Sequence, residues 1–111
     1  MAKVERRLNA NFNELLSKIE DGILSGSISA SMEESSFFRS GEAKCAVRVF
    51  ERYSYFGGNR VSLTVTLFQE NENSPVFLSG ITSGGSQAVF VKINTFGEEA
   101  FLSKLNEIID R

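Results

Sequence analysis

EAKCAVRVFERYSYFGGNRVSLTVTLFQE, residues 42–70, consists of two alternating runs on either side of a glycine pair. In the second run Val61, Leu63, Val65 and Leu67 share one parity, while Ser62, Thr64 and Thr66 take the other. A period of two describes a strand with one buried and one wet face. The first run alternates less sharply. Ala43, Cys45, Val47 and Val49 form its more uniformly apolar parity and are expected to face the core. That choice leaves Lys44, Arg48, Phe50 and Arg52 on the outer face. Between the runs, FGGN (56–59) supplies residues that tolerate the positive φ of a tight turn. The stretch reads as a hairpin, hence as antiparallel pairing, because parallel neighbours need a long crossover.

The flanking sequence extends this pattern. AKVERRL (2–8) reads as a short edge strand whose charges discourage unwanted pairing. In NANFNELLSKIEDGILSGS (9–27), Phe12, Leu15, Leu16, Ile19 and Ile23 recur at helical spacing. Asn11 and Glu14 resemble a capping box, and Gly26 suits a left-handed C-terminal position. ISASM (28–32) alternates as a strand, and EESSFFRSGE (33–42) reads as a connection. VFLSGITS (76–83) is a further strand, after a polar turn that ends at the single proline, Pro75. TSGGS (82–86) reads as a turn, QAVFVKIN (87–94) as a strand, and TFGEEAFLSKLNEIIDR (95–111) as a second helix. A Thr95–Glu98 capping box would open that helix.

The order β-α-β-β-β-β-β-α defines an α+β class. We expect a single domain over residues 1–111, with a curved antiparallel sheet of five to six strands and two helices packed on one face. A chain of 111 residues is long enough to hold a core without metals or disulfides.

Composition narrows the chemistry. The single cysteine, Cys45, permits no internal disulfide and no thiolate cluster, and it reads as a small buried apolar residue. No histidine is present, which removes the commonest metal ligand and acid–base catalyst. GITSG departs from the G-x-S-x-G elbow at its third position. Gly84 and Gly85 are followed by an alternating run rather than by a helix, so the loop lacks the geometry of a phosphate cradle. A catalytic centre, a metal and a cofactor are therefore not expected. A net charge of −2 and the interleaved acids speak against nucleic acid. No apolar run reaches the length of a membrane span, and MAKVERRLNANF lacks the apolar core of a signal peptide, so a cytoplasmic protein is expected.

Two groups of side chains remain as candidate sites. Phe37, Phe38, Tyr53 and Tyr55, with Phe56, are aromatics that could line a pocket for a small apolar ligand. Phe50 and Phe68, both assigned outward parity, suggest a covered sheet face and so a homodimer, with Arg48 and Arg52 on the same interface. Lys44, Arg48, Arg52 and Lys92 would form a basic stripe there, read as a solvated face.

GSISASMEE (26–34) and SGGSQAVFVKINTFGEEAFL (83–102) resemble a family of small uncharacterised bacterial proteins of about this length. The element order is also similar to a reduced helix-grip fold, as in START and birch-pollen-allergen-like domains. That resemblance implies an apolar ligand between sheet and helices. The chain departs from it in its short last helix and in having one helix, not two, after the first strand. The leading expectation is thus a non-catalytic module binding a small apolar or amphipathic molecule. The competing one is a homo-oligomeric interaction module with a filled core.

Overall fold

The computed structural model describes residues 1–54, 58–84 and 91–111. Its elements run β1 (Ala2–Leu8), α1 (Phe12–Ser25), β2 (Ser31–Ser40), β3 (Ala43–Ser54), β4 (Asn59–Gln69), β5 (Val76–Gly84) and α2 (Val91–Ile109). The class is α+β, as expected, with a five-stranded sheet in the order β1-β5-β4-β3-β2. Every neighbouring pair is antiparallel. The chain starts on one edge, crosses on α1 to the far edge, and returns by a meander until β5 pairs with β1. Fourteen residues make α1 about 21 Å long. That nearly matches the roughly 19 Å between the two outer strands.

One side of the sheet carries the helices. Val61, Leu63, Val65 and Leu67 of β4, with Val76 and Leu78 of β5, form its floor. Phe12, Leu15, Ile19 and Ile23 of α1 and Phe101, Leu105 and Ile108 of α2 close it from above. The Asn11 side chain accepts the Glu14 N–H at 2.9 Å, so the cap of α1 is as expected. Gly26 is not left-handed, at φ −78°. It favours close approach instead: a Cβ there would lie 2.9 Å from the Gly22 carbonyl oxygen and would displace the end of the Lys104 side chain. Positive φ occurs at Gly41 in the β2–β3 turn and at Gly58 in the β3–β4 turn.

The main correction concerns the parity of β3. Phe50 pairs with Leu63, and Ala46 with Leu67. Directly opposed residues share a face, so the even positions of β3 point toward the helices, and Phe50 is 0% exposed. The cations of that parity lie along the borders of the helix layer. Lys44 Nζ sits 4.7 Å from the Phe12 ring centroid, and the Arg52 guanidinium 4.4 Å from that of Phe101. Between them Arg48 Nε donates to Glu20 Oε1 of α1 at 2.8 Å. Its Nη1 also donates to the Ser36 and Val47 carbonyls. Long aliphatic stems let these cations lie over apolar surface while their heads reach rings or a carboxylate.

Four boundaries also differ: of the strand expected over 28–32 only Ser31 and Met32 are strand, and Ile28 is exposed. Residues 33–40, expected as a connection, are paired strand from Ser31 on, with a bulge between Met32 and Glu34. β2 is an edge strand exposed along nearly its whole length, so no burial imposes an apolar alternation that sequence could display. Of the strand expected over 87–94, residues 87–90 lie outside the described residues, and Val91 already belongs to α2. A short β-branched run does not distinguish a strand from a helix turn. Thr95 and Glu98 are consequently inside the helix, not at its cap. Glu98 is buried, and its Oε2 accepts the Gly84 N–H at 2.9 Å, tying α2 to the end of β5. At the other end, Arg6 of β1 donates to Asp110 at 2.7 Å, and this hydrogen bond holds the Asp110 carboxyl below its ordinary value.

Glu20→Ala leaves the Arg48 guanidinium partly buried without its carboxylate, and should lower unfolding free energy by about 1–3 kcal/mol. Glu20→Gln, which keeps an acceptor, should lose less; urea denaturation of both variants measures the difference. At Gly80 α2 approaches the sheet closely, since a Cβ there would meet Leu105 Cδ2 at 2.6 Å and Val4 Cγ1 at 3.3 Å. Gly80→Ala should therefore destabilise by about 1–3 kcal/mol through overpacking, against the usual gain from replacing glycine in a strand.

Candidate functional site

With β3 in this register, the odd residues of β3 and the even residues of β4 form the face opposite the helices. Pairing places the side chains of that face in rows across all five strands. One row reads Arg7, Phe77, Phe68, Cys45, Phe38. The next is Glu5, Ser79, Thr66, Val47, Ser36, and the third Lys3, Ile81, Thr64, Val49, Glu34. All charges in these rows stand on the edge strands, and the three central strands contribute none.

The first row concentrates the apolar surface. Phe38 is 60% exposed, Phe77 46% and Phe68 40%. The Arg7 guanidinium covers part of Phe77, 5.5 Å from its centroid. Phe68 stands as a ridge between two depressions. One, of about 380 Å³, is bounded by Arg7, Thr66, Phe77 and Ser79. The other, of about 150 Å³, is bounded by Phe38, Ala43 and Cys45.

The residues singled out from sequence separate across this architecture. Phe68 is on the outer face as expected. Phe50 is not: it lies in the core, because it and Ala46 fill the space beneath the helices. Arg48 and Arg52 share that inner parity and are engaged with α1 and α2, so neither belongs to the outer face. Cys45, expected in the core, is half-buried on the outer face for the same reason.

The aromatic set is divided too. Phe37 turns toward the helices and meets the Phe12 ring edge-on at 6.5 Å, while its neighbour Phe38 points out. Tyr53 is on the outer face opposite Arg60, eight positions along β3 from Cys45. Phe37, Phe38 and Tyr53 therefore line no common pocket, and Tyr55 and Phe56 lie outside the described residues. The side chain of Lys92 does as well. Sequence reasoning missed Phe77 and Ile81 as outer-face residues. The signal was present, since both alternate against Val76, Leu78 and Gly80 in VFLSGIT.

Among the described residues no group of three or more His, Cys, Asp or Glu is placed to hold a metal ion. No described helix is long and apolar enough to cross a membrane.

The fold and face just described belong to a chain that matches, over residues 1–111, the family of unknown function DUF6054, and it is a member of that family. No curated protein matches it. Among solved structures it is similar to the crystal structure of TTHA0849 from Thermus thermophilus. That match has 12% identity and covers 97% of this chain and 95% of the other, at a TM-score of 0.29. A likeness that weak carries no argument, and the resemblance to helix-grip domains is not confirmed by it.

The two faces of the hairpin make opposite predictions for the same substitution. Phe50→Ser should cost about 3–5 kcal/mol, as for other large core truncations. Phe68→Ser should change the stability of the isolated protomer by less than about 1 kcal/mol. Chemical denaturation at low protein concentration distinguishes them.

Proposed function

We propose that the chain is a non-catalytic interaction module of the cytoplasm that pairs with a second copy of itself through the outer sheet face. The observation that carries this reading is the distribution of side chains over the three rows, with an uncharged centre, an aromatic first row and charges confined to the edges. Specific interfaces have this anatomy, an apolar core within a polar rim. Three rows about 6.7 Å apart on five strands about 4.8 Å apart present about 480 Å². Two such faces bury about 1,000 Å² in total, at the lower end of specific interfaces.

The face also complements itself. A two-fold axis along β4, the middle strand, lays the β1 edge of one copy over the β2 edge of the other. Lys3 then stands opposite Glu34 of the second copy, and Arg7 opposite the ring of its Phe38. Phe68 lies near the axis, beside the depressions that flank its counterpart. An isologous contact requires this knob-and-hollow match on one surface. Aligned sheet packing, with strands about 30° apart, accommodates it. The alternative of an apolar ligand between sheet and helices has less support, because that space is occupied by Phe12, Phe50, Phe101, Leu63, Leu67 and Leu105, all essentially fully buried.

Sedimentation equilibrium tests the reading. The protein should be a dimer at micromolar concentration, and Phe68→Ser with Phe38→Ser should give a folded monomer. Lys3→Glu should weaken association by several-fold, and adding Glu34→Lys should restore it. A monomeric wild type, or a Phe38/Phe68 double variant that stays dimeric, sinks this interface.

A further inference from the structure

A second feature, on the helix side and remote from the three rows, has the character of a ligand site. Toward the end of β3, Arg52, Tyr53 and Ser54 border a depression of about 200 Å³ whose other walls are Gly26, Ser27, Gly97 and Ala100. Arg52 and Ser54 share the inner parity of the strand. The Arg52 guanidinium is half-buried against Phe101, and among the described residues no carboxylate pairs with it. Ser54 is 6% exposed, and its Oγ has no hydrogen-bond partner among the described residues. Asn59, which opposes Ser54 in the ladder, has both side-chain amide atoms buried and unpartnered there as well.

Unsatisfied buried polar atoms are rare in native proteins, because each costs the hydration it gives up. Here they gather beside a cation without a carboxylate at one end of the layer, whereas the buried polar side chains elsewhere, Gln69, Thr82 and Glu98, each have a hydrogen-bond partner. The walls are glycine and alanine where α1 ends and α2 passes, and a Cβ at Gly97 would collide with Ser54 Oγ. Glycine at 97 lets α2 pack closely on that hydroxyl at the wall of the depression.

We infer that this depression binds the carboxylate of a small organic acid, with Arg52 as the ion-pairing fork and the Ser54 hydroxyl as a second donor. The guanidinium presents two parallel N–H groups that match the two oxygens of a carboxylate. The Asn59 amide is buried behind Ser54 at the same end of the layer and does not border the depression. A dianion is disfavoured. Arg52 is the one cation among the described residues bordering the depression, the carbonyl end of α1 lies at Gly26, and the buried Glu98 follows Gly97 on α2. Burial lowers the Arg52 pKa from its ordinary value, in keeping with a cation that gains from an anionic partner.

The test is an NMR titration of the whole protein, with nitrogen-15 label, following the Arg52 Nε–Hε signal and the Ser54 and Gly97 amides. Sodium acetate and propanoate are the probes, with sodium chloride and phosphate at matched ionic strength as comparators. The expected result is a saturable shift at all three groups with either carboxylate and none with chloride. Arg52→Gln should weaken binding about tenfold or more, the loss of a charged hydrogen bond. Ser54→Ala should weaken it several-fold while leaving thermal stability unchanged or higher, since that hydroxyl has no partner to lose. Absence of a saturable shift, an equal response to chloride, or tighter binding of phosphate would overturn the assignment. So would an undiminished affinity in Ser54→Ala, which also decides the matter if Arg52→Gln does not fold.

Discussion

A strand has two faces and can turn only one of them to a helix layer, and in this protein the strand that makes the choice is β3. By residue count its odd parity is the more apolar, yet the even parity is the one that is buried. One offers Ala43, Cys45, Val47 and Val49; the other offers Ala46 and Phe50 among Lys44, Arg48 and Arg52. Burial of Phe50 beneath the helices selects the second. The three cations are accommodated because their heads reach Phe12, Glu20 and Phe101 at the helix borders. A one-residue slip would reverse every side chain of β3. It would expose Phe50 and leave Glu20 without Arg48.

The consequences extend to both candidate surfaces. With Phe50 turned inward, Cys45, Val47 and Val49 join Phe38, Phe68, Phe77 and Ile81 on the opposite face. Within the three rows that face has an aromatic row, an uncharged centre and charged edges, while beyond them Glu51 and Arg60 pair on the central strands. The same choice places Arg52 and Ser54 at the end of the helix layer, where Gly26, Gly97 and Ala100 border a depression beside them. The proposed association uses the outer face and the proposed anion site lies at the end of the helix side, so the two proposals stand or fall separately.

Much of this was legible beforehand. β4 has a single apolar parity, so its inward residues followed from alternation alone. The stripe of α1 and its Asn11 cap were equally plain, since helical spacing and a capping hydrogen bond are local. β2 was not legible as a strand, because an exposed edge demands backbone pairing and nothing of its side chains. The start of α2 was misplaced for a different reason: Val91 and Ile93 satisfy a strand pattern, while the helix they enter is defined by contacts to β4, β5 and β1 that lie far off in sequence.

The candidate sites divide along the same line. Phe68 could be placed outward from its own strand, whereas Phe50, Arg48 and Arg52 were assigned to the wrong face. Counting apolar residues weighs a cation as polar, although its stem lies on apolar surface and its head is paired or stacked at the helix border. By itself the sequence determined the hairpin core, the two helical stripes and the α+β class, all of which depend on local period and residue type. Tertiary structure decided which parity of β3 is buried, and with it the composition of the outer face. It alone brought Ser54, Asn59 and Arg52 to one unsatisfied end of the core. Strand pairing and helix docking join residues far apart in the chain, and neither local period nor composition encodes which face they will share.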